Sequence, residues 1–306
     1  MIRYEILTPS SELWTSPALA SFFEQAYGDR CAYKYPRRCF WLYGRSGALA
    51  VVAWCDSRIV GWVGAMPIEI RRQDRCIRAA WSVDNFVLTS YRSRGIGTSL
   101  QRQAEGAVPF TLSTWISTAN FRIKEHLKNR HLSTISVLAT MTRPTLVHKY
   151  DVSEPDPEEI ATLAYSHLNR YDCAVVRDAS YCRWRFKNQP NSAYVQLRAD
   201  CGLVLVRKCG PKRPCVGMIG DVFPIRSEPT EFVALVGAGA HYLMMNECTV
   251  VRYGTTDLSQ AAGLIGDGWE VCNRYPVLVS ADGGSLDSCE TFLFGLSDSD
   301  FDQYPW

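Results

Sequence analysis

Val87-Leu88-Thr89-Ser90-Tyr91-Arg92-Ser93-Arg94-Gly95-Ile96-Gly97-Thr98-Ser99-Leu100 is the segment from which the fold can be read. An apolar strand runs in, and a helix runs out from Thr98 to about Glu105. The junction between them is an anion site in physical terms. The first N–H groups of a helix have no partner inside it, and the helix dipole adds partial positive charge there. Gly95 and Gly97 let the backbone approach a phosphate closely and take positive φ. Arg92 and Arg94 add charge and two-pronged donors, and Thr98 and Ser99 add hydroxyls. Other glycine-loop patterns fit less well. A dinucleotide fingerprint needs a third glycine where Leu100 stands, and a P-loop needs a Gly-Lys-Ser/Thr that is absent.

Working outward, residues 10–28 have helical apolar spacing at Leu13, Leu19, Phe22, Phe23 and Ala26. Strands are predicted at 49–55 and 58–70, joined by a turn at Asp56-Ser57, and again at 78–88, 110–116 and 134–142. A helix is predicted at 120–129. Val152-Ser153-Glu154-Pro155-Asp156-Pro157 reads as a linker into a helix start, dividing the chain into 1–150 and 151–306. The second part loosely repeats the order of the first. It has helices at 158–168, 180–186, 231–245 and 258–264, and strands at 194–197, 203–208, 216–222, 250–253, 274–279 and 291–296. The expected class is α/β, with a mixed, mainly antiparallel sheet flanked by helices and duplicated in tandem.

The bulk numbers exclude several alternatives. Of 306 residues, 33 are basic and 31 acidic, so the net charge is only +2 and a nucleic-acid binder is disfavoured. No run approaches the roughly 18 apolar residues that span a bilayer. The opening MIRYEILTPSSELW lacks the apolar core of an export signal, which predicts a cytoplasmic protein with reduced cysteines. Twelve cysteines without one C-x-x-C pair predict buried thiols and no metal site.

Arg92, Gly95 and Gly97 fill the three defining positions of Q/R-x-x-G-x-G/A. The segment 87–100 therefore resembles motif A of the GNAT acyltransferases. The resemblance covers about residues 1–150 and implies a GNAT acyl-CoA-binding catalytic domain there. It implies acetyl-CoA or another acyl-CoA as co-substrate, lying in a gap between two splayed strands. The pantetheine arm would pair with the backbone of Phe86, Val87 and Leu88. The pyrophosphate would meet the N–H groups of Ser93, Arg94, Gly95, Ile96, Gly97 and Thr98. Asn120, at the start of the helix after the next strand, is placed by the resemblance to reach pantetheine. Two features depart from the family. Leu127 stands where many members have a tyrosine acid, and Arg130-His131-Leu132 replaces a Gly-Phe exit.

The second part resembles a degenerate copy that shapes the substrate cleft. Its counterpart loop, Ile225-Arg226-Ser227-Glu228-Pro229-Thr230, has no paired glycines, so one cofactor site is expected. The acceptor implied is a primary amine on a small molecule; the alternative is an N-acyl amino acid synthase that takes a fatty chain from acyl carrier protein. Acyl-CoA sensing without chemistry is the competing class. An attacking amine must be neutral, so a proton acceptor is sought. Asp84, just before the pantetheine strand residues, is the first candidate. His126 and His131 are candidates for proton transfer. Cys76 and the other cysteines show no histidine partner, which gives covalent catalysis no support.

Overall fold

The computed structural model describes residues 1–73, 75–144, 149–190, 193–209, 215–226, 228–280, 286 and 289–298. In chain order the elements are β1 (Ile2–Leu7), α1 (Pro17–Tyr27), α2 (Cys31–Lys34), α3 (Arg37–Tyr43), β2 (Leu49–Cys55), β3 (Arg58–Arg72), β4 (Arg75–Val87), α4 (Ile96–Gly106), β5 (Thr111–Ser113) and α5 (Thr118–His126). Then come β6 (Arg130–Thr140), β7 (Tyr150–Ser153), α6 (Pro157–Leu168), β8 (Cys173–Val175), α7 (Ala179–Cys182), β9 (Val195–Ala199), β10 (Gly202–Cys209) and β11 (Val216–Pro224). α8 (Pro229–Met245), β12 (Val250–Thr255), α9 (Leu258–Gly266), β13 (Glu270–Val279) and β14 (Phe292–Leu293) complete the order. Two compact units form. The first holds Met1–Ile70, Cys76–Leu132 and Val277–Ser288; the second holds Arg71–Arg75, Ser133–Pro276 and the chain from Cys289 on.

In the first unit the strands lie in the order β1-β2-β3-β4-β5, with the end of β13 beside β5. β1 and β2 are antiparallel neighbours, as are β2 and β3, whereas β4 and β5 run parallel. Sequence reading misses β1, because its six residues follow no clean alternation of buried and exposed positions. It also misses α2 and α3, which are short and rich in charge and aromatics. α4 packs through Ile96, Leu100 and Ala104, one residue per turn, onto Val51, Ala53, Val60 and Val63 of β2 and β3. Each of those side chains contributes roughly 1.5–3 kcal/mol when buried, alanine less. The opposite face holds Trp14, Phe23, Tyr43 and Trp62, with Phe23 and Trp62 ring centroids 5.2 Å apart.

The second unit repeats this plan with strands in the order β6-β12-β11-β10-β9-β7. β10 and β11 are antiparallel and β11 and β12 parallel. α8 buries Leu235, Val236, Ala240 and Leu243 against Val204, Val206 and Ile219. Residues 152–153, read from sequence as linker, are the end of β7, which pairs Val152 with Leu197. The linker's helix signal holds, since Asp156 caps α6 by accepting from the N–H groups of Glu158 and Glu159. All twelve cysteines are free thiols.

Candidate functional site

β4 and β5 diverge. Their parallel ladder pairs Ala80 with Thr111 and Trp81 with Leu112, after which β4 continues to Val87. Past that point the Leu88 N–H donates to the Val60 carbonyl of β3, at 2.9 Å. The chain then makes a short turn at Thr89–Tyr91 and enters the loop.

The loop is presented to solvent. Arg92, Ser93, Arg94 and Gly95 are exposed, Gly97 and Thr98 half-buried, and Ile96 is anchored in the core. Ser93 (φ 62°) and Gly95 (φ 75°) take the left-handed conformation on either side of Arg94, a pattern that turns successive N–H groups to one side. Gly95 caps α4 without a side chain, and a Cβ built there would meet nothing within 4 Å. The first helical bond is Ser99 N–H to the Gly95 carbonyl, 3.0 Å. The amides of Ile96, Gly97 and Thr98 precede that bond and have no partner within the helix ladder. Both arginines brace the loop. Arg92 Nε donates to the Val87 carbonyl at 3.0 Å and lies 5.4 Å from the Phe86 ring centre. Arg94 donates to the Ser90 carbonyl at 3.2 Å and covers Tyr91.

α5 closes one flank of the loop. A Cβ at Gly97 would lie 3.1 Å from Ile123 Cδ1 and 3.7 Å from Val87 Cγ2, so glycine permits this approach. The cap of α5 is Ser117, whose Oγ accepts from the Asn120 N–H at 3.3 Å. Asn120 is thus the third residue of the helix, one turn before Ile123, with its side chain not consumed as the cap. His126 is exposed in the last turn, about 9 Å further along the axis at 1.5 Å per residue. His131 is exposed on β6, and Leu127 ends α5 without a titratable group.

Asp84 stands at a kink in β4, with φ 56°. Its side chain is only 2% exposed. Oδ1 lies 2.7 Å from Lys34 Nζ, and Oδ2 lies 2.7 Å from Arg38 Nη1. Tyr27 Oη is 3.4 Å from Oδ1. Burial alone would raise the carboxyl pKa, but Arg38 and Lys34 hold it well below the usual carboxylate range. Sequence reasoning finds Asp84 and misses both partners, which sit some fifty residues away on elements with no periodic signal. The second unit repeats the device. The β10–β11 register shifts beside Gly220, and the next residue, Asp221, accepts from Arg177 Nε at 2.9 Å. In each unit an aspartate three residues past the last parallel pair is tied to buried arginine.

A polar relay also links β4, α4 and α5. Ser82 Oγ donates to Gln101 Oε1 at 3.0 Å, and Gln101 Nε2 donates to Glu105 at 3.1 Å. Lys124 Nζ and Asn129 Nδ2 each reach Glu105 Oε1 at 3.1 Å. Burial pushes the Lys124 ammonium down to about 8, against the opposing pull of Glu105. The folded chain therefore releases this proton near pH 8 and the unfolded chain near 10.5, so the unfolded state holds more protons in between. Stability is expected to gain from this group as pH rises from 8 to 10.5. Denaturant midpoints of the wild type and Lys124→Met at pH 7.5 and 10 check it: the gain should be absent in the variant.

Among its described residues the counterpart loop of the second unit holds no left-handed residue. Ile225 and Arg226 leave β11, Ser227 is outside the described residues, and α8 begins with Pro229 at its first turn. A cavity of about 690 Å³ does occur in that unit, between α8 and α9 over Trp269, with Pro229 and Thr230 of this loop among its lining residues. Among the described residues no group of three or more His, Cys, Asp or Glu is placed to hold a metal, and no helix is long and apolar enough to cross a membrane.

No family model and no curated protein matches the chain. Solved structures do. A GCN5-related N-acetyltransferase from Anabaena variabilis ATCC 29413 superposes with TM-score 0.63 at 12% identity, over 90% of this chain and 72% of that one. A tandem GNAT protein from the clavulanic acid biosynthesis pathway gives 0.60 at 13%, over 92% and 99%. Saccharomyces cerevisiae N-myristoyltransferase with bound myristoyl-CoA gives 0.62 at 8%, over 91% and 82%. The chain thus has the GNAT fold, as its motif-A segment implied, and builds it in tandem.

Proposed function

We propose that the protein is an acyl-CoA-dependent N-acyltransferase that moves an acetyl or longer acyl group to the primary amine of a small molecule. The observation that carries this reading is the open loop 92–98, whose amides start α4 after the stretch of β4 that runs on past its last pair with β5 at Trp81. That arrangement suits a diphosphate at the loop and an extended amide-bearing arm along the strand edge. The amine nitrogen would attack the thioester carbonyl, the C–S bond would break, and CoA thiol would leave with the proton lost by the amine. Backbone N–H groups at the kink of β4 are suited to polarise the thioester oxygen.

In this reading Asp84 anchors the kink and does not take the proton. A carboxylate locked between Lys34 and Arg38, with its pKa held low, is a poor base. His126 stays a proton-transfer candidate by position on α5 only. Leu127 in place of an acid favours a second reading, acyl-CoA binding without transfer. An acyl carrier protein would present the same pantetheine arm.

Acetyl-CoA calorimetry combined with thiol release over an amine panel tests this. Micromolar binding with amine-stimulated release is expected. Binding without release would select the second reading, and absence of binding would remove both.

A further inference from the structure

We infer that Tyr171 and the segment Phe294–Asp298 are a built-in occupant of the strand gap in the second unit, filling the place that corresponds to the β4–β5 gap of the first. β11 and β12 pair in parallel through Met218 and Arg252, then part. Into that parting comes Gly295. It bridges Thr255 of β12, and a Cβ on it would lie 3.4 Å from the Gly254 carbonyl oxygen and 3.7 Å from that of Gly220 on β11. One residue therefore approaches both diverging strands. Leu296 follows, 1% exposed, packed so closely on Gly254 that a Cβ there would fall 2.5 Å from Leu296 Cδ2.

The same segment takes the Thr256 backbone N–H at the end of β12 and the polar side chains that shape β11. The Thr256 N–H donates to the Phe294 carbonyl at 3.1 Å, and the Phe294 N–H donates to Thr256 Oγ1 at 3.0 Å. Ser297 Oγ donates to Asp221 Oδ2 at 2.8 Å, and Asp298 Oδ1 lies 2.7 Å from Arg177 Nη2. The segment is thus fastened to the aspartate and arginine that shape the kink of β11.

Tyr171 fills the other end. α9 follows β12 as α5 follows β5, and Gln260 is the third residue of α9, as Asn120 is of α5. Tyr171 Oη donates to Asp257 Oδ2 at 2.6 Å and accepts from Gln260 Nε2 at 3.2 Å. A cleft of about 70 Å³ bordered by His167, Glu228 and Phe232 remains beside Tyr171.

Hydrogen exchange with peptide-level mass spectrometry on the full chain, together with acetyl-CoA stoichiometry, tests this. The one-site stoichiometry rests on the acyl-CoA reading above; the occupancy does not. In the wild type, peptides over 219–222 and 253–257 should be among the slowest to exchange in the second unit. Gly295→Val, which forces side-chain atoms between the two carbonyls, should speed both by at least about tenfold and leave peptides of α4 unchanged. If that variant fails to fold, Ser297→Ala should give a smaller increase at 219–222. Exchange at both stretches as slow in a folded Gly295→Val chain as in the wild type would overturn the occupancy, as would two acetyl-CoA per wild-type chain. Zero acetyl-CoA bound, with the exchange pattern as expected, would sink the acyl-CoA reading and leave the occupant in place.

Discussion

Gly97→Glu is expected to weaken acetyl-CoA binding by on the order of 100-fold or more, since a carboxylate about 4 Å from a phosphate costs several kcal/mol at a protein surface. The side chain has nowhere else to go. Its Cβ already meets Ile123 at 3.1 Å and Val87 at 3.7 Å, so the chain beyond must turn toward the open side of the loop. The fold should tolerate the change better than the ligand does, because an acidic residue in the first turn of a helix is favoured by the dipole. Gly97→Ala separates sterics from charge: it asks only a few tenths of an ångström of Ile123, and should cost less than tenfold. Calorimetry with acetyl-CoA, alongside the melting temperature of each variant, makes the measurement. Unchanged affinity in Gly97→Glu would remove the loop as a diphosphate site.

Asp84→Ala is expected to cost about 3–5 kcal/mol of stability, the usual penalty for removing one member of a buried ion cluster. Lys34 and Arg38, with side chains 3% and 0% exposed, would then keep their charges away from water without the carboxylate that balances them. Chemical denaturation reads the loss directly. Asp84→Asn keeps the shape and removes the charge, and it distinguishes the two roles. An anchor predicts a large fall in unfolding free energy in that variant as well. A base predicts near-normal stability with turnover lost at saturating acyl-CoA. The second result would restore Asp84 to the chemistry and overturn its role as an anchor.

The loop is legible in the sequence because its physics is local. Two glycines, two arginines and the start of a helix within six residues predict an exposed turn, and the structure places Arg92–Gly95 at the surface with Gly95 left-handed. Tandem repetition is legible from element order, and β4, α4, β11 and α8 fall where apolar spacing puts them, within a few residues. What escapes is non-local. Nothing in the segment around Lys34 and Arg38 signals a partner at position 84, and Tyr171 gives no hint of Asp257 and Gln260. α5 starts two residues earlier than predicted because Ser117, not Asn120, supplies the capping oxygen. The end of the chain reads as a strand at 291–296, whereas only Phe292–Leu293 are strand. The residues after them serve the gap between β11 and β12.

The kink of β4 and the loop that follows it differ in one respect that matters in solution. Mobile ions reach Arg92 and Arg94 but not a carboxylate sealed between Lys34 and Arg38. Raising ionic strength should therefore relax the hold on a diphosphate while leaving the shape of the strand edge intact. A high-salt buffer would strip ligand carried through purification without unfolding the cleft that bound it.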